Sequence, residues 1–160
     1  MATIRVSGLR ELDKALSELP KATGKNVLRR VLRNVAAPIA EDMRSRAPDA
    51  PGSSPNRDLR QSIGVSTKLS PNQRRLHRRA FRNDKASVEV FVGAGALPHP
   101  HLQEFGSVNH GPQPFARPAW DAHKHMALAK IKEELWSEID KAAKRIARKQ
   151  ARAAAKAAGG

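Results

Sequence analysis

The sequence predicts an α+β fold: a small, mostly antiparallel sheet packed by two N-terminal helices, with a long C-terminal helix ending in a basic arm. Three observations support this prediction. Apolar residues recur at three- and four-residue spacing through the first 46 residues, as on one face of a helix. A valine-rich segment near residue 90 alternates as a strand does. A further helical pattern begins near Pro118 and continues towards the C-terminus.

The N-terminal part is predicted to contain a short strand and two helices. Ile4 and Val6 alternate in the strand, and Pro20 separates the helices. The second helix covers about residues 22 to 46, and Pro38 inside it removes a backbone donor and is expected to kink it. The first apolar stripe is Leu9, Leu12, Leu16 and Leu19, and the second is Val27, Leu28, Val31, Leu32, Val35, Ile39 and Met43.

The middle of the chain is predicted to alternate loops and strands. The Pro- and Gly-rich residues 48–58 are expected to form a flexible loop, and residues 59–70 a strand. The next segment, "PNQRRLHRRAFRNDK", carries five arginines and one aspartate, which makes it too polar for a buried strand. We therefore expect an exposed hairpin tip or a disordered loop over about residues 70–86. Residues 86–95 alternate cleanly and are the clearest strand.

The C-terminal pattern predicts one long helix. Proline is tolerated in the first turn of a helix, where its missing N–H costs nothing. A helix continuous to about Ala157 would be roughly 60 Å long. Residues 141–160 contain seven basic residues and no acidic one, so we expect a domain over residues 1–140 and a basic helical extension after it. The apolar stripe is Leu128, Ile131, Leu135, Ile139 and Ile146, with Trp136 beside it.

The net charge is the strongest global feature of the sequence. A formal charge of +15 and a pI near 11.2 favour association with polyanions or with acidic protein surfaces, and the sequence leaves both open. The absence of cysteine excludes disulfides and thiolate chemistry. The sequence has no apolar run near the roughly 20 residues of a membrane span and no signal-peptide pattern. We therefore expect no membrane partner and a cytoplasm-like compartment during assembly.

Patterns that would indicate catalysis are missing. The sequence has neither a Gly-rich phosphate loop nor a nucleophile elbow, and most of its carboxylates belong to amphipathic helices. The spacing of the histidines fits no zinc motif, and His123 and His125 would point about 200° apart on a helix. We expect a protein that is not an enzyme, with no catalytic, cofactor-binding or metal-binding residues. The remaining loop histidines are His99, His101 and His110.

Two basic clusters are candidate contacts to DNA or to an acidic partner. They carry no interleaved stacking aromatics apart from Phe81, and no helix-turn-helix or zinc-finger pattern is present. Nonspecific nucleic-acid binding is therefore the alternative function. The candidate residues are Arg74, Arg75, Arg78, Arg79 and Arg82 in one cluster and Lys144, Arg145, Arg148, Lys149 and Arg152 in the other.

Several motifs in order resemble the tail-component, or tail-completion, family of long-tailed bacteriophages. The chain has the leucine-rich "VSGLRELDKALSELP", then "RAPDAPGSSPNRDLRQSI", the strand "VEVFVG", the tetrapeptide "EFGS" and finally "PQPFARPAW" before the last helix. The resemblance covers about residues 4–140. The basic insertion "SPNQRRLHRRAFRND" and the Ala/Lys tail depart from the family pattern.

The resemblance implies a structural protein of the virion neck. Such a protein would form a ring, expected to be hexameric, that completes the tail and helps join it to the head connector. Its expected partners are copies of itself, the tail-terminator, tail-tube and head-connector proteins, and the genomic DNA that passes through. Assembly would take place in the host cytoplasm.

The stretch from "EFGS" to "PQPFARPAW" is the predicted subunit interface. Prolines stiffen a loop, so Phe115 and Trp120 could be presented with little entropy to lose, and Arg117 could pair with a carboxylate. The alternative is that Phe115 and Trp120 pin the last helix onto the sheet. Residues 104–106 are expected to form a turn after a strand, with Gly106 in a conformation closed to other residues. The predicted interface residues are Glu104, Phe105, Gly106, Pro114, Phe115, Arg117, Pro118 and Trp120.

Overall fold

The computed structural model describes residues 9–17, 19–48, 58–82 and 88–158. These ranges contain six helices and one two-stranded sheet, which confirms the predicted α+β class. The expected strand at Ile4 and Val6, and most of the expected loop over residues 48–58, lie outside the described residues. In chain order the elements are α1 (Leu9–Ser17), α2 (Lys21–Arg46), α3 (Leu59–Ser62), β1 (Gly64–Ser66), α4 (Pro71–Ala80), β2 (Phe91–Gly93), α5 (Pro100–Phe105) and α6 (Ala116–Ala158).

The helices α1 and α2 confirm the two N-terminal apolar stripes. Leu12 of α1 is almost completely buried, and α2 continues through Pro38 to Arg46. The prediction that both helices pack on the sheet is correct for α2, which contacts both strands, whereas α1 packs against α6 and α2. The face that the two short strands present is occupied by α2, so the apolar face of α1 packs against α6 instead.

The sheet is shorter than the sequence predicted. Strands β1 and β2 are antiparallel, with Val65 opposite Val92. The expected strand over residues 59–70 begins instead with helix α3, whose first turn is capped by the Asp58 carboxylate accepting from Arg60 N at 2.9 Å. Within residues 88–95, the described part of the strand expected over residues 86–95, only β2 is strand, because a strand needs a partner for its backbone groups and β1 supplies only three residues.

Helix α4 replaces most of the hairpin tip or loop predicted over residues 70–86, of which residues 83–86 lie outside the described residues. Its start is a capping box, in which the Ser70 hydroxyl accepts from Gln73 N and the Gln73 side chain accepts from Ser70 N. Pro71 then occupies the first turn, where proline is favoured. The prediction was wrong because it weighed polarity alone, whereas the local cap and the helix-forming arginines suffice to form a solvent-facing helix.

Helix α5 was not predicted and corrects the expected turn at residues 104–106. Pro100 occupies its first turn, and Glu104 and Phe105 end a helix rather than follow a strand. Gly106 terminates α5 with a φ of 84°, which confirms the expected special conformation. A Cβ at this position would meet Pro112 N at 3.0 Å, so the chain also passes too closely for a larger residue.

Two hydrophobic clusters share α2 and α6. The first joins α1, the N-terminal half of α2 and the middle of α6. The second joins the C-terminal half of α2, α3 and the start of α6, with Phe115 and Ile63 at its centre. Helix α6 has 43 residues and is therefore about 65 Å long. It runs through residue 140 without interruption, and Ala142 is still buried, so the domain boundary expected at residue 140 stays a prediction.

Candidate functional site

A buried carboxylate organises the start of α6. The side chain of Glu104, only 5% exposed, accepts hydrogen bonds from three successive backbone N–H groups. Its Oε2 accepts from Phe115 N at 2.8 Å and from Ala116 N at 2.9 Å, and its Oε1 accepts from Arg117 N at 3.1 Å. These are the donors that a helix start leaves unpaired. Glu104 therefore caps α6 from another helix, eleven residues or more away along the chain.

The guanidinium of Arg117 completes this arrangement. Arg117 Nε donates to Glu104 Oε1 at 2.9 Å, and Nη2 donates to the Glu104 backbone carbonyl at 3.0 Å. The sequence predicted that Arg117 pairs with a carboxylate, and the structure supplies one within the same chain. We refer to these contacts between Glu104 and residues 115–117 as the Glu104 clamp.

The clamp favours the ionised form of Glu104. Burial raises the pKa of the carboxyl, but hydrogen bonds from Ala116 N, the Arg117 side chain and the backbone of Phe115 and Arg117 outweigh it and lower the pKa below its ordinary value of 4.5. The partial positive charge at the N-terminus of α6 acts in the same direction. The clamp is therefore formed by a charged side chain at neutral pH.

The clamp holds a loop of fixed shape between α5 and α6. Ser107 N donates to the His110 carbonyl at 2.9 Å, and Gln113 N donates to the Gln103 carbonyl at 2.8 Å. The side chain of Val108 at the loop tip is completely exposed. Backbone hydrogen bonds at both ends of the loop thus support the stiffness expected from its prolines.

The predicted interface residues divide into a buried and an exposed group. Phe115 is only 3% exposed and lies in the second hydrophobic cluster, so it pins α6 to the body of the protein. Trp120 is 50% exposed and Phe105 66% exposed, and the Arg117 guanidinium lies 4.7 Å from the centre of the Phe105 ring. Arg117 and Trp120 are one helical turn apart and share a face of α6. We call Phe105, Arg117 and Trp120 the aromatic patch.

The structure therefore assigns different roles to residues that the sequence grouped together. Glu104 and Phe115 make their contacts inside the chain, and the aromatic patch faces outward. Pro114 is exposed and Pro118 half-buried, on either side of the clamp. Whether a second subunit covers these residues stays a prediction. No spacing rule in the sequence could have revealed the clamp, since it depends on how α5 and α6 meet in space.

The two basic clusters are far apart along the chain and both face solvent. Arg74, Arg75, Arg78 and Arg79 are exposed on α4, and Arg82 is exposed just after it. In the C-terminal cluster Lys144 pairs with Asp140 at 2.7 Å, while Lys141 beside it pairs with Glu138. The remaining predicted contacts, Arg145, Arg148, Lys149 and Arg152, are exposed on α6.

The histidines are dispersed. His123 Nε2 lies 3.3 Å from Asp42 Oδ2 across the contact between α2 and α6, and His77 Nε2 lies 3.4 Å from Glu89 Oε1. Within the described ranges, no group of three or more His, Asp or Glu side chains is placed to share a metal ion. None of the helices described here has the length and apolar character that a bilayer crossing requires.

A comparison with known protein families identifies the chain's relatives. Residues 10–106 match the model of the HK97-gp10-like family, described as "Bacteriophage HK97-gp10, putative tail-component". The match covers more than half of the 160 residues, from α1 to the end of α5 with Gly106, and so includes Glu104. Neither a curated protein nor a solved structure matches the chain significantly. The chain therefore belongs to the HK97-gp10-like family of bacteriophage tail components, structural proteins of the virion.

Proposed function

We propose that this tail component forms a closed ring in the neck of the virion, completes the tail and helps join it to the head connector. In this proposal the ring has six subunits, and its neighbours are the tail-terminator, tail-tube and head-connector proteins. The observation that carries the proposal is the aromatic patch, which is exposed on a backbone that the Glu104 clamp holds in place.

The chemistry of the patch suits a subunit contact. Aromatic residues and arginine supply most of the strongly contributing positions in protein interfaces. Phe105 and Trp120 are large, exposed and attached to helices, so little backbone freedom remains to be lost when a partner covers them. The clamp already orders Arg117, which stacks on Phe105 rather than moving freely in solvent.

The shape of α6 also supports assembly with other chains. The apolar stripe of the helix contacts the core as far as Ile146, and α6 continues for three more turns. Trp120 and Met126, both large and apolar, are exposed along the same helix. A long helix with uncovered apolar side chains is typical of a subunit that packs against neighbours.

The proposal is tested by the oligomeric state of purified protein and of matched tryptophan variants. Sedimentation and negative-stain electron microscopy should show a closed ring for the native chain. Trp120→Ala should dissociate it into smaller species, because it removes the larger aromatic of the patch. Trp136→Ala is the control, since it removes another tryptophan that is 41% exposed and lies outside the patch, and its ring should persist.

Two results would contradict the proposal. One is a native chain that remains monomeric at every concentration reached in the assay. The other is a ring that survives Trp120→Ala and is lost in Trp136→Ala, which would place the contact elsewhere on α6.

A further inference from the structure

Helix α4 displays a dense set of exposed positive charges. Arg74, Arg75, Arg78 and Arg79 fall within an arc of about 140° on a helix with 3.6 residues per turn. Arg82 follows directly after α4, and we call these five residues the arginine cluster. All five are exposed, and none forms an ion pair with a carboxylate in the part of the chain that the structure describes.

The opposite face of α4 is held against the body of the protein. Gln73 Nε2 donates to the Ala94 carbonyl at 3.5 Å, and the His77 ring contacts the Phe91 ring edge-on at a centroid distance of 5.2 Å. The only carboxylate in contact with α4 among the described residues is Glu89, and it faces His77. The sheet therefore fixes the orientation of the helix, and the arginines point away from it.

We propose that the arginine cluster binds the sugar-phosphate backbone of duplex DNA without reading its sequence. This inference goes beyond the neck-ring proposal and does not depend on it. Guanidinium groups bind phosphate oxygens in fork geometry and are easily desolvated, which suits a cluster made of arginine alone. Four residues of helix advance by about 6 Å. Phosphates two steps apart on one DNA strand are separated by about 6.8 Å along the helix axis.

The composition of the face favours DNA over an acidic protein. Protein interfaces have an apolar core surrounded by polar residues. The exposed apolar side chain on α4, Leu76, lies about 60° beyond the edge of the arginine arc, so a protein partner centred on the arginines would find no apolar anchor at the middle of its contact. The nearest aromatic, Phe81, packs on His77 with ring centres 4.9 Å apart. Phe81 is 56% exposed but already packs on His77, and one ring does not form a stacking platform for successive bases. The cluster therefore favours duplex over single-stranded DNA, since binding to single strands relies on base stacking.

The C-terminal cluster provides a matched comparison within the same molecule. Its basic residues share α6 with apolar Ile146, and Lys144 is already paired with Asp140. Two glutamine variants each remove five positive charges. The α4 variant replaces the five residues of the arginine cluster, and the α6 variant replaces Lys144, Arg145, Arg148, Lys149 and Arg152. Both variants therefore have a formal charge of +10 instead of +15. If only the total charge of the protein mattered, both variants would lose the same DNA affinity.

The experiment is a salt titration of binding to a fluorescent duplex of random sequence. The native chain should bind with a Kd of roughly 10⁻⁶ to 10⁻⁴ M near physiological salt. Five phosphate contacts give a slope of about −4.5 in log K against log salt, or about a 500-fold loss between roughly 50 and 200 mM. The α4 variant should lose most of this slope, and the α6 variant should keep most of it.

Three outcomes would overturn the inference: no duplex binding by the native chain, equal losses in the two variants, or tighter binding to polyglutamate than to DNA at equal salt. A variant with all five residues of the arginine cluster changed to lysine is the control for misfolding, because it keeps the positive charge and should keep the slope of log K against log salt. Circular dichroism checks that the helices persist. Sedimentation of the same samples reports ring formation separately, so a failure of either proposal is recognised on its own.

Discussion

Replacing Glu104 by glutamine tests whether the clamp at the start of α6 stabilises the protein. The substitution keeps the size and shape of the side chain but removes its charge and one of its two acceptor oxygens. In the native chain each oxygen accepts two hydrogen bonds, from Phe115 N and Ala116 N at Oε2 and from Arg117 N and Nε at Oε1. The amide of glutamine can replace only one of these pairs.

The expected loss follows from the number of unpaired donors. Two donors lose their acceptor, and leaving a buried donor unpaired costs about 1 to 3 kcal/mol. We therefore expect Glu104→Gln to lower the free energy of unfolding by about 2 to 6 kcal/mol at neutral pH. In a urea titration this loss moves the midpoint by about 1 to 3 M without changing the slope m. Native and variant chains should be compared at equal protein concentration, because assembly also contributes to stability.

The pH dependence of the same variant is a second signature. The pKa of Glu104 is lowered in the folded protein, so its contribution is complete above the ordinary value of 4.5 and is lost as the pH falls further towards the folded pKa. Glutamine does not titrate. The difference in unfolding free energy between the native and Glu104→Gln chains should therefore be largest near pH 7 and should narrow below pH 4.5.

Glu133→Gln is the matched control. Glu133 is exposed on α6 and makes no ion pair with the described residues, so its replacement should change stability by less than about 0.5 kcal/mol. The reasoning is refuted if Glu104→Gln is as stable as this control, or if its deficit is the same at pH 7 as at about pH 3.

Two further substitutions test the packing around the clamp. Phe115→Ala should lower the free energy of unfolding in urea by about 3 to 5 kcal/mol, because it empties a buried position in the second hydrophobic cluster. Phe81→Ala, at a site that is mostly exposed, is the control and should lower it by about 1 kcal/mol or less. Similar losses at the two sites would show that Phe115 does not pin α6. Gly106→Ala should lower the free energy of unfolding by more than about 1 kcal/mol, because φ is 84° and the new Cβ would press on Pro112. Gly111→Ala is the control: its new Cβ would meet open space, so its thermal unfolding midpoint should hardly change. Equal midpoints for the two glycine variants would contradict the close approach seen at Gly106.

Features set by residues close together in the chain were predicted more accurately than features that depend on contacts between distant segments. The apolar stripes of α1, α2 and α6 were predicted with nearly correct limits, because helical periodicity repeats over many residues. The strands were predicted too long, because strand length depends on a partner that is distant in sequence. Helix α4 was missed although its capping box is written in adjacent residues, Ser70 to Gln73, because the charge of the segment was given more weight than its cap.

The predicted interface also combines features that the local sequence indicates with features that depend on how distant segments pack. The residue types from Glu104 to Trp120 predicted a subunit interface there, and the family match over residues 10–106 confirmed the resemblance to phage tail components. Residue type did not reveal that Phe115 lies inside the core while Trp120 faces solvent, although both belong to one short motif. Whether a side chain is buried depends on how the helices pack, because each residue of a helix is rotated by about 100° from the one before it. Residues of one short motif can therefore face either the core or the solvent.

The sequence by itself therefore determined the helical stripes, the positive charge and membership of a family of phage tail components. Only the tertiary structure decided that Glu104 caps α6 and that the α4 arginines share one outward face. The physical reason is that periodicity and charge are carried by residues close together in the chain. A cap donated from another helix, or a free surface, exists only once distant segments have packed and chosen which side chains to cover.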